Sequence, residues 1–358
     1  MVKLQDIADK TGFSLAVVSR ALNPRPDQKV AARSAAVIRK AAEELGYRPN
    51  QAARLLAKGA GPAIGIFLPQ TASVGTLILP LIAGLTETAN RFGFACNFYF
   101  GLQEEEYLAF LRSVEQERHA GIITYLPSAY THDAMGSTLD KLRRQNCQVV
   151  VVNTPEILTG SRIASTAIDN RLGGRLAARH LLERGVRKFL LLNHPTSWQM
   201  HERCRGFAET VLAAGGELTE EDIRHPGAEL PRPTFAGHSL WRKMMDSSDV
   251  LGVFAGTDYL ATALYGELAR RGATGRIGRE IRLVGFDDQP MAQLLSPALT
   301  TVRQPFRMLG EVSMSLLLNR LIDARIPVPE TVLKPELVVR ESSGEALPAQ
   351  REKSVLHS

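Results

Sequence analysis

From residue 63 onward, short apolar runs alternate with longer stretches whose apolar positions recur at the helical period. Runs of this kind, without internal polar alternation, are typical of strands buried on both faces of a parallel sheet. We predict strands at 63–69, 94–100, 120–126, 148–153, 165–170, 188–193, near 223–226, 250–256, 281–287, 299–305 and 336–342. We predict helices between them at 77–92, 104–117, 133–145, 171–184, 200–214, 235–246, 258–271 and 305–325. Two such series predict an α/β core of two similar parallel-sheet lobes.

The N-terminal residues carry a different pattern, which predicts only helices. The first helix runs from about Leu4 to Thr11, and Gly12 supplies a turn that needs a positive φ. Ser14 is a natural N-cap for the second helix. A third helix is predicted over 30–45, and a short helix over 50–58 is too short to be stable without a partner surface.

The two short helices of residues 4–23 have the spacing of a helix-turn-helix, whose second helix can enter a DNA major groove. A small helical hairpin with another role is the alternative.

We divide the chain into a headpiece (1–47), a hinge helix and linker (48–61), a first core lobe (62–160 with 304–333), a second core lobe (161–303 with 334–343) and a polar tail (344–358).

Charge separates the headpiece from the core. Residues 1–60 contain 11 Lys and Arg against 5 Asp and Glu, so the whole net charge of +6 lies there. A basic module on a neutral body is typical of a polyanion binder, whereas a solvated basic surface is the alternative. The 3 cysteines are scattered, without the spacing of a metal site, and no apolar segment has the length of a membrane helix. These features indicate a reduced, cytoplasmic protein with no membrane partner.

The motifs of nucleotide-binding and hydrolytic enzymes are missing from the sequence. The glycines of GAGPAIG precede a strand, whereas those of a dinucleotide fingerprint follow one. No P-loop, nucleophile elbow or metal-spaced His and Cys set occurs. We therefore expect no enzymatic activity, no metal and no cofactor.

Several segments together resemble the LacI/GalR family of bacterial transcription regulators. They are QDIADKTGFSLAVVSRALN, AAEELGYRPNQAARLLAKG, DNRLGGRLAARHLLERGVRKFLLL, RCRGF, VGFDDQP, SPALTTVRQPFRMLG and ELVVRESS, and the similarity extends from residue 3 to about 343. The resemblance implies an all-α helix-turn-helix headpiece, a hinge helix and a core like that of periplasmic sugar-binding proteins. It also implies a homodimer that binds a palindromic operator and responds to a small effector, such as a sugar or sugar derivative.

The resemblance assigns DNA contacts to two segments. Leu15 and Ala16 occupy base-reading positions, but their side chains allow only apolar contacts, for example with a thymine methyl. Arg20 matches the arginine that reads a base edge, and Leu56 matches the hinge leucine that wedges into the minor groove. The remaining predicted DNA contacts are Ser14, Ser19, Asn23, Asn50 and Ala53. Alternatives stay open, since Arg20 is also consistent with an exposed helix arginine and Leu56 with a packing residue.

The predicted effector site lies between the lobes, where the carboxyl ends of the strands meet. Asn153, Thr257 and Asp287 follow predicted strands, and Arg203 lies on the helix after one. By resemblance, Arg203 and Asp287 grip the hydroxyls of a sugar, and Phe235 stacks on it; Trp198 is a second aromatic near the cleft. A structural Arg–Asp pair and aromatic core packing are the alternatives. The expected function is repression of a carbohydrate catabolic or transport operon, and a ligand sensor without DNA activity is the runner-up.

Overall fold

The computed structural model describes residues 4–22, 30–47, 63–69, 75–117, 119–126, 147–153, 163–193, 197–222, 249–323 and 330–344. Its N-terminal part is a three-helix unit of α1 (Leu4–Thr11), α2 (Leu15–Leu22) and α3 (Ala32–Glu44). Gly12 has a φ of 73°, and the Ser14 hydroxyl accepts a hydrogen bond from the Val17 amide at 3.4 Å. The predicted turn and N-cap are therefore confirmed. Ile7, Val18 and Ile38 are fully buried between the three helices.

The first lobe contains a six-stranded sheet in which every pair of neighbouring strands is parallel. Its strands are β1 (Ala63–Pro69), β2 (Ala95–Gly101), β3 (Gly121–Thr124), β4 (Gln148–Val152), β5 (Ala164–Ile168) and β11 (Glu330–Leu333), in the order β11-β5-β4-β3-β1-β2. The described helices of this lobe are α4 (Gly75–Arg91), α5 (Glu104–Glu117) and α9 (Phe306–Ile322). Apolar side chains fill both faces, as predicted for a buried parallel sheet.

The second lobe repeats this architecture. Its strands are β6 (Lys188–Asn193), β7 (Glu217–Asp222), β8 (Leu251–Ala255), β9 (Ile281–Asp287), β10 (Thr300–Arg303) and β12 (Glu336–Val338), in the order β12-β10-β9-β8-β6-β7. The strands are parallel apart from β12, which pairs antiparallel with β10. The described helices are α6 (Asn170–Glu183), α7 (Trp198–Ala213) and α8 (Asp258–Arg270). The predicted pair of α/β lobes is thus confirmed.

One predicted lobe boundary is wrong. We placed the start of the second lobe at residue 161, but β5 (Ala164–Ile168) pairs with β4 and β11 in the first sheet. The predicted strand 165–170 also ends too late, because Asp169 caps α6 by accepting a hydrogen bond from the Leu172 amide at 2.7 Å. The chain therefore crosses to the second lobe after Ile168, and β11 is a strand that the sequence pattern did not predict.

Several predicted features lie outside the described residues. They are Asn23, the hinge with Asn50, Ala53 and Leu56, the helices over 133–145 and 235–246, Phe235, and most of the polar tail. The strand that we predicted near 223–226 also lies outside the described residues, and β7 at Glu217–Asp222 is a strand that the pattern did not predict. The remaining helices and strands differ from their predicted bounds mostly by a few residues. Within the part of the chain that the structure describes, no helix is long and apolar enough to cross a membrane.

Glycines allow two pairs of helices to cross at very short distances. A Cβ atom on Gly174 of α6 would lie 2.0 Å from the Arg203 carbonyl oxygen of α7, and one on Gly206 would lie 2.0 Å from the Arg171 carbonyl oxygen. In the first lobe, a Cβ atom on Gly84 of α4 would lie 2.2 Å from a carbonyl oxygen of α9. Because no larger residue fits these crossings, each pair has one well-defined packing.

Candidate functional site

The face of α2 that points away from the headpiece core carries the predicted DNA-contacting residues. Ser14, Ala16 and Arg20 are exposed, Ser19 is half-buried, and Leu15 is 47% exposed although it is a large apolar residue. The opposite face buries Val18 and Ala21 against α1 and α3. The predicted residues therefore lie together on one accessible helix face, as a major-groove helix requires.

A second polar cluster lies at the carboxyl ends of the strands of the second sheet. β9 ends at Asp287 and β10 ends at Arg303, and these two residues are register partners in the sheet. Gln304 follows directly, and its side-chain amide donates to Asp287 Oδ1 at 2.7 Å. Arg203 approaches from α7, with Nη1 3.3 Å from the same oxygen. The structure thus brings together Arg203 and Asp287, the pair that the sequence predicted as effector ligands.

The Arg203 guanidinium is fixed from several sides. Nε donates to Asn170 Oδ1 at 2.9 Å, and Nη1 also donates to the Gly256 carbonyl oxygen at 2.9 Å. The guanidinium carbon lies 3.9 Å from the centroid of the Phe286 ring, within the range of a cation–π contact. Because each contact constrains a different part of the planar group, the direction of Arg203 is set before any ligand arrives.

Burial dominates the electrostatics of this cluster. Removal from water raises the pKa of Asp287 to about 6, although the Arg203 charge and the hydrogen bonds to the carboxylate act to lower it. Burial likewise lowers the pKa of Arg203, against the attraction of Asp287. Asp258, which is also buried, has its pKa raised first by burial and then by the negative field of Asp287. A ligand at this cluster would meet preoriented polar groups in a medium of low polarity.

The loop after β9 holds Asp287 in an uncommon backbone conformation. Asp287 has a φ of 127° and Asp288 a φ of 54°, both positive for residues that carry side chains. Asp288 accepts hydrogen bonds from Arg303 Nε at 2.7 Å and from Arg340 Nη2 at 2.6 Å. Asp258 adds a bond from the Gln289 amide at 2.8 Å. These contacts stabilise a strained turn that points the Asp287 carboxylate at Arg203.

The first lobe contributes polar groups from across the cleft. Asn153, with a φ of 63°, accepts a hydrogen bond at its carbonyl oxygen from Gln199 Nε2 of α7 at 2.7 Å. The Tyr125 side chain hydrogen-bonds the Asn153 side chain, and removal from water raises the pKa of this phenol. The Thr76 hydroxyl donates to Gln289 Oε1 at 3.0 Å. Asn153 therefore lies at the seam between the lobes, as predicted.

Two other predicted effector residues have local roles in the structure. The Thr257 hydroxyl caps α8 by accepting a hydrogen bond from the Leu260 amide at 3.2 Å. Trp198 is half-buried at the start of α7, beside Gln199. The hydroxyl of a capping threonine still has a hydrogen to donate. Their contact with an effector stays a prediction.

Sequence reasoning missed Gln304, Asn170, Tyr125, Gln289 and Thr76. Gln304 had a usable signal, because it directly follows β10, whose last residue pairs with Asp287 at the end of β9. Its Oε1 atom is buried and has no hydrogen-bond partner among the described residues. A buried acceptor without a partner costs free energy, so a ligand donor at this point would be favourable. Among the described residues, no group of His, Cys, Asp and Glu could hold a metal ion.

Sequence comparisons agree with both parts of the structure. The profile described as "Bacterial regulatory proteins, lacI family" matches residues 3–50, and that of a "Periplasmic binding protein-like domain" matches residues 178–343. The regulator CelR of Thermobifida fusca is 27% identical over 95% of this chain and 97% of its own. The repressor PurR of Proteus mirabilis is 28% identical over 96% and 97%. The ribose operon repressor of Halalkalibacterium halodurans is 26% identical over 96% and 97%.

Solved structures share the fold over nearly the whole chain. A CelR–cellobiose complex superposes with a TM-score of 0.64 at 23% identity, covering 96% of this chain and 100% of the other. The lac repressor dimer bound to operator and the anti-inducer ONPF gives 0.65 at 22% identity, with coverages of 96% and 99%. The helical headpiece, the two parallel-sheet lobes and the matches along the sequence confirm the expected resemblance to the LacI family of bacterial regulatory proteins.

Proposed function

We propose that this chain represses a carbohydrate catabolic or transport operon and is controlled by a small effector bound between the two core lobes. It acts in the cytoplasm as a homodimer on a palindromic operator. The observation that carries this proposal is the buried cluster of Arg203, Asp287 and Gln304 in a core joined to a basic headpiece. The relatives are transcriptional regulators, and one solved relative holds cellobiose.

The headpiece supports sequence-specific DNA binding. Arg20 is exposed on α2 and can donate two parallel hydrogen bonds to a guanine edge. Leu15 and Ala16 offer an apolar surface that suits a thymine methyl, and the Ser14 and Ser19 hydroxyls suit phosphates. We extend the proposal to Asn23, Asn50 and Ala53 as further contacts and to Leu56 as a minor-groove wedge.

The polar cluster supports a neutral polyol as the effector. Asp287 accepts hydrogen bonds from hydroxyls, whereas Arg203 donates them, and their charges balance each other. The unpaired Gln304 Oε1 can accept a hydrogen bond, and a sugar hydroxyl is both donor and acceptor. We further propose that Asn153, Trp198, Phe235 and Thr257 contact the effector, with the aromatic rings packing on the apolar face of the sugar.

No catalytic role is part of this proposal. The carboxylates of the cluster are engaged with Arg203, Gln304 and Thr301, so the described site offers binding groups without an activated nucleophile. A ligand sensor that does not act on DNA is the alternative. The exposed Arg20 on α2 and the net positive charge of residues 1–60 favour the regulator, because a sensor alone would have no use for them.

The test is a gel-shift titration of the full chain on a palindromic operator obtained by selection from random DNA, with and without cellobiose, ribose or galactose. Arg20→Ala should lose operator affinity by about 1–3 kcal/mol, the value of one bidentate base contact. Asp287→Asn should keep operator binding and lose the response to the active sugar. Binding of that sugar is measured by calorimetry, and the exposed α3 variant Arg39→Ala serves as a matched control for Arg20→Ala. Unchanged operator affinity in Arg20→Ala, or unchanged sugar affinity in Asp287→Asn, would contradict the corresponding assignment.

A further inference from the structure

Gln289 occupies a special position between the polar cluster and the opposite lobe. It follows Asp287 and Asp288 on the loop after β9, and only 5% of its surface is exposed. Its backbone amide donates to Asp258 Oδ2 at 2.8 Å, whereas Asp258 Oδ1 accepts from the Thr301 hydroxyl at 2.5 Å. Asp258 is itself fully buried, so this carboxylate fixes where the Gln289 side chain begins.

The side chain of Gln289 contacts both sides of the cleft. Its Oε1 atom accepts a hydrogen bond from the Thr76 hydroxyl, at the start of α4 in the first lobe, at 3.0 Å. The same side chain hydrogen-bonds the Asp287 carboxylate, and the amide nitrogen must be the donor because a carboxylate only accepts. One amide group therefore joins the carboxylate proposed to bind the effector to a helix of the other lobe.

We propose that Gln289 is the bridge through which occupancy of the Asp287 carboxylate controls contact between the lobes. This inference rests on the proposed function, in which a hydroxyl of the effector binds Asp287. A hydroxyl that donates to this carboxylate competes with the Gln289 amide. Once the amide is displaced, the Gln289 side chain is no longer held in the orientation that accepts from Thr76, so the two events are coupled.

The helix at the far end of the bridge is well placed to respond as a rigid unit. α4 is locked to α9 by the glycine crossing, where a Cβ atom on Gly310 would lie 2.4 Å from the Leu81 carbonyl oxygen. α9 begins two residues after Gln304, whose amide donates to Asp287 at 2.7 Å. The Asp287 carboxylate is thus connected to the α4–α9 pair at two points, through Gln289 and through Gln304.

In this arrangement Asp258 is a positioning residue. It does not face the effector, but it holds the backbone from which Gln289 extends. A Cβ atom on Gly285 would lie 2.3 Å from Asp258 Oδ1, so the carboxylate packs directly against β9. The position of Gln289 is therefore set by the sheet of the second lobe, and the bond to Thr76 reports the position of the first lobe relative to it.

The bridge can be tested in the full chain without sugar or DNA. Trp198 lies at the seam of the lobes, beside Gln199, whose amide bonds the Asn153 carbonyl oxygen. We would measure acrylamide quenching of Trp198 in a Trp241→Phe background. Thr76→Val and Gln289→Leu should each increase quenching, and the double variant should not exceed the larger single effect. One hydrogen bond of modest net value shifts the ratio of open to closed clefts by roughly two- to tenfold.

Two further variants make the test selective. Thr86→Val is the matched control on α4, because the Thr86 hydroxyl bonds the Ile82 carbonyl oxygen of its own helix at 2.8 Å, and it should leave quenching unchanged. Gln289→Glu keeps an acceptor for Thr76 but replaces the donor to Asp287 by a second carboxylate, so it should match Gln289→Leu. Normal quenching in Gln289→Glu would overturn the connection to Asp287. Normal quenching in Thr76→Val, or additive single effects, would overturn the bridge itself. Because no sugar is present, these results are independent of whether the proposed effector class is correct.

Discussion

Arg203 and Asp287 contribute little to the stability of the core, but their contacts fix the orientation of both side chains. Burial lowers the pKa of the arginine and raises that of the aspartate, so loss of hydration outweighs their mutual attraction. Such a pair adds little to stability compared with packed apolar residues. Its benefit is geometric, since the hydrogen bonds to Asn170, Gly256 and Gln304 fix both charged groups in one arrangement. A ligand then binds without a further cost of ordering these side chains.

For His180 we predict an effect of pH on the free energy of unfolding. His180 is buried on α6, and its Nε2 atom lies 2.7 Å from the Ser343 hydroxyl near the C-terminal end of the described chain. Burial lowers its pKa from 6.5 to about 4, and the positive fields of Arg184 and Arg282 act in the same direction. Between these two pH values the unfolded chain binds a proton that the folded chain does not. The stabilisation is therefore complete above pH 6.5 and is lost as the pH falls towards 4.

We expect this group to reduce the free energy of unfolding by about 2 kcal/mol over that pH range, less than the full shift because its arginine neighbours are partly solvated. His180→Gln keeps a neutral donor for Ser343 and should lack this dependence. Urea unfolding curves at several pH values measure the difference between the two proteins. His201→Gln, an exposed histidine on α7, should follow the wild type. Parallel pH profiles for wild type and His180→Gln would mean that the folded histidine takes up its proton as readily as the unfolded one.

At the scale of elements, close helix crossings determine where the binding residues lie. α7 carries Arg203, and its backbone at this residue touches Gly174 of α6. α4 and α9 cross in the same way in the first lobe, through Gly84 and Gly310. Each lobe therefore has a helix pair that packs directly backbone to backbone. A change at a crossing should affect the site even though no glycine contacts a ligand.

Gly174→Ala tests this relation. The added methyl would lie 2.0 Å from the Arg203 carbonyl oxygen, and backbone atoms on both helices would have to move. We expect a loss of about 1–3 kcal/mol in unfolding free energy, as for other overpacked sites, and weaker sugar binding because Arg203 is displaced. Gly266→Ala on α8 is the control, since the nearest heavy atom to its methyl would be a flexible Arg270 side-chain nitrogen at 3.9 Å.

Gly266→Ala should raise the free energy of unfolding by up to about 1 kcal/mol, because alanine is a better helix former than glycine. The two substitutions thus have opposite expected signs for the same chemical change. Urea unfolding gives the stabilities, and calorimetry with the active sugar gives the affinities. Equal stability changes in the two variants would show that the α6–α7 crossing can relax, and Arg203 would then be positioned by its hydrogen bonds alone.

Some features of the fold and of the site were predictable from the sequence, and others were not. Helix and strand types follow from local periodicity, so the headpiece and the alternating core were predictable. The lobe to which β5 belongs depends on its pairing with β4 and with β11, which lies far away in sequence. Local periodicity does not show these pairings, and the boundary at residue 161 was therefore wrong. Asp287 and Arg203 were recognisable because strand ends and family motifs mark them. Gln289 was not, because its importance arises from a hydrogen bond between separate elements, whereas Gln304 could have been recognised from its position directly after β10.

At the scale of the whole molecule, charge separates the functions of the headpiece and the core. The net charge of +6 lies within residues 1–60, and the remainder of the chain is neutral. Long-range attraction to DNA phosphates therefore comes from the headpiece together with the hinge and linker, whereas Arg203 and Asp287 in the core cleft balance each other in charge. This separation allows the core to bind a neutral effector at any ionic strength at which the headpiece finds DNA.

We predict that salt concentration affects operator binding and sugar binding differently. Operator affinity should fall steeply with salt concentration, whereas sugar affinity measured by calorimetry should stay nearly constant, because counterions are released only at the headpiece. Arg33→Ala, an exposed residue in the first turn of α3, should weaken binding to all DNA sequences alike and reduce the salt slope by about 1, the contribution of one neutralised phosphate. Arg20→Ala should instead leave the slope nearly unchanged and relax specificity at one base pair. Fluorescence anisotropy on the selected operator and on variants of it separates these outcomes. If Arg20→Ala lowered the slope and weakened all sequences equally, Arg20 would be a phosphate contact, and base readout would rest on the apolar surface of Leu15 and Ala16.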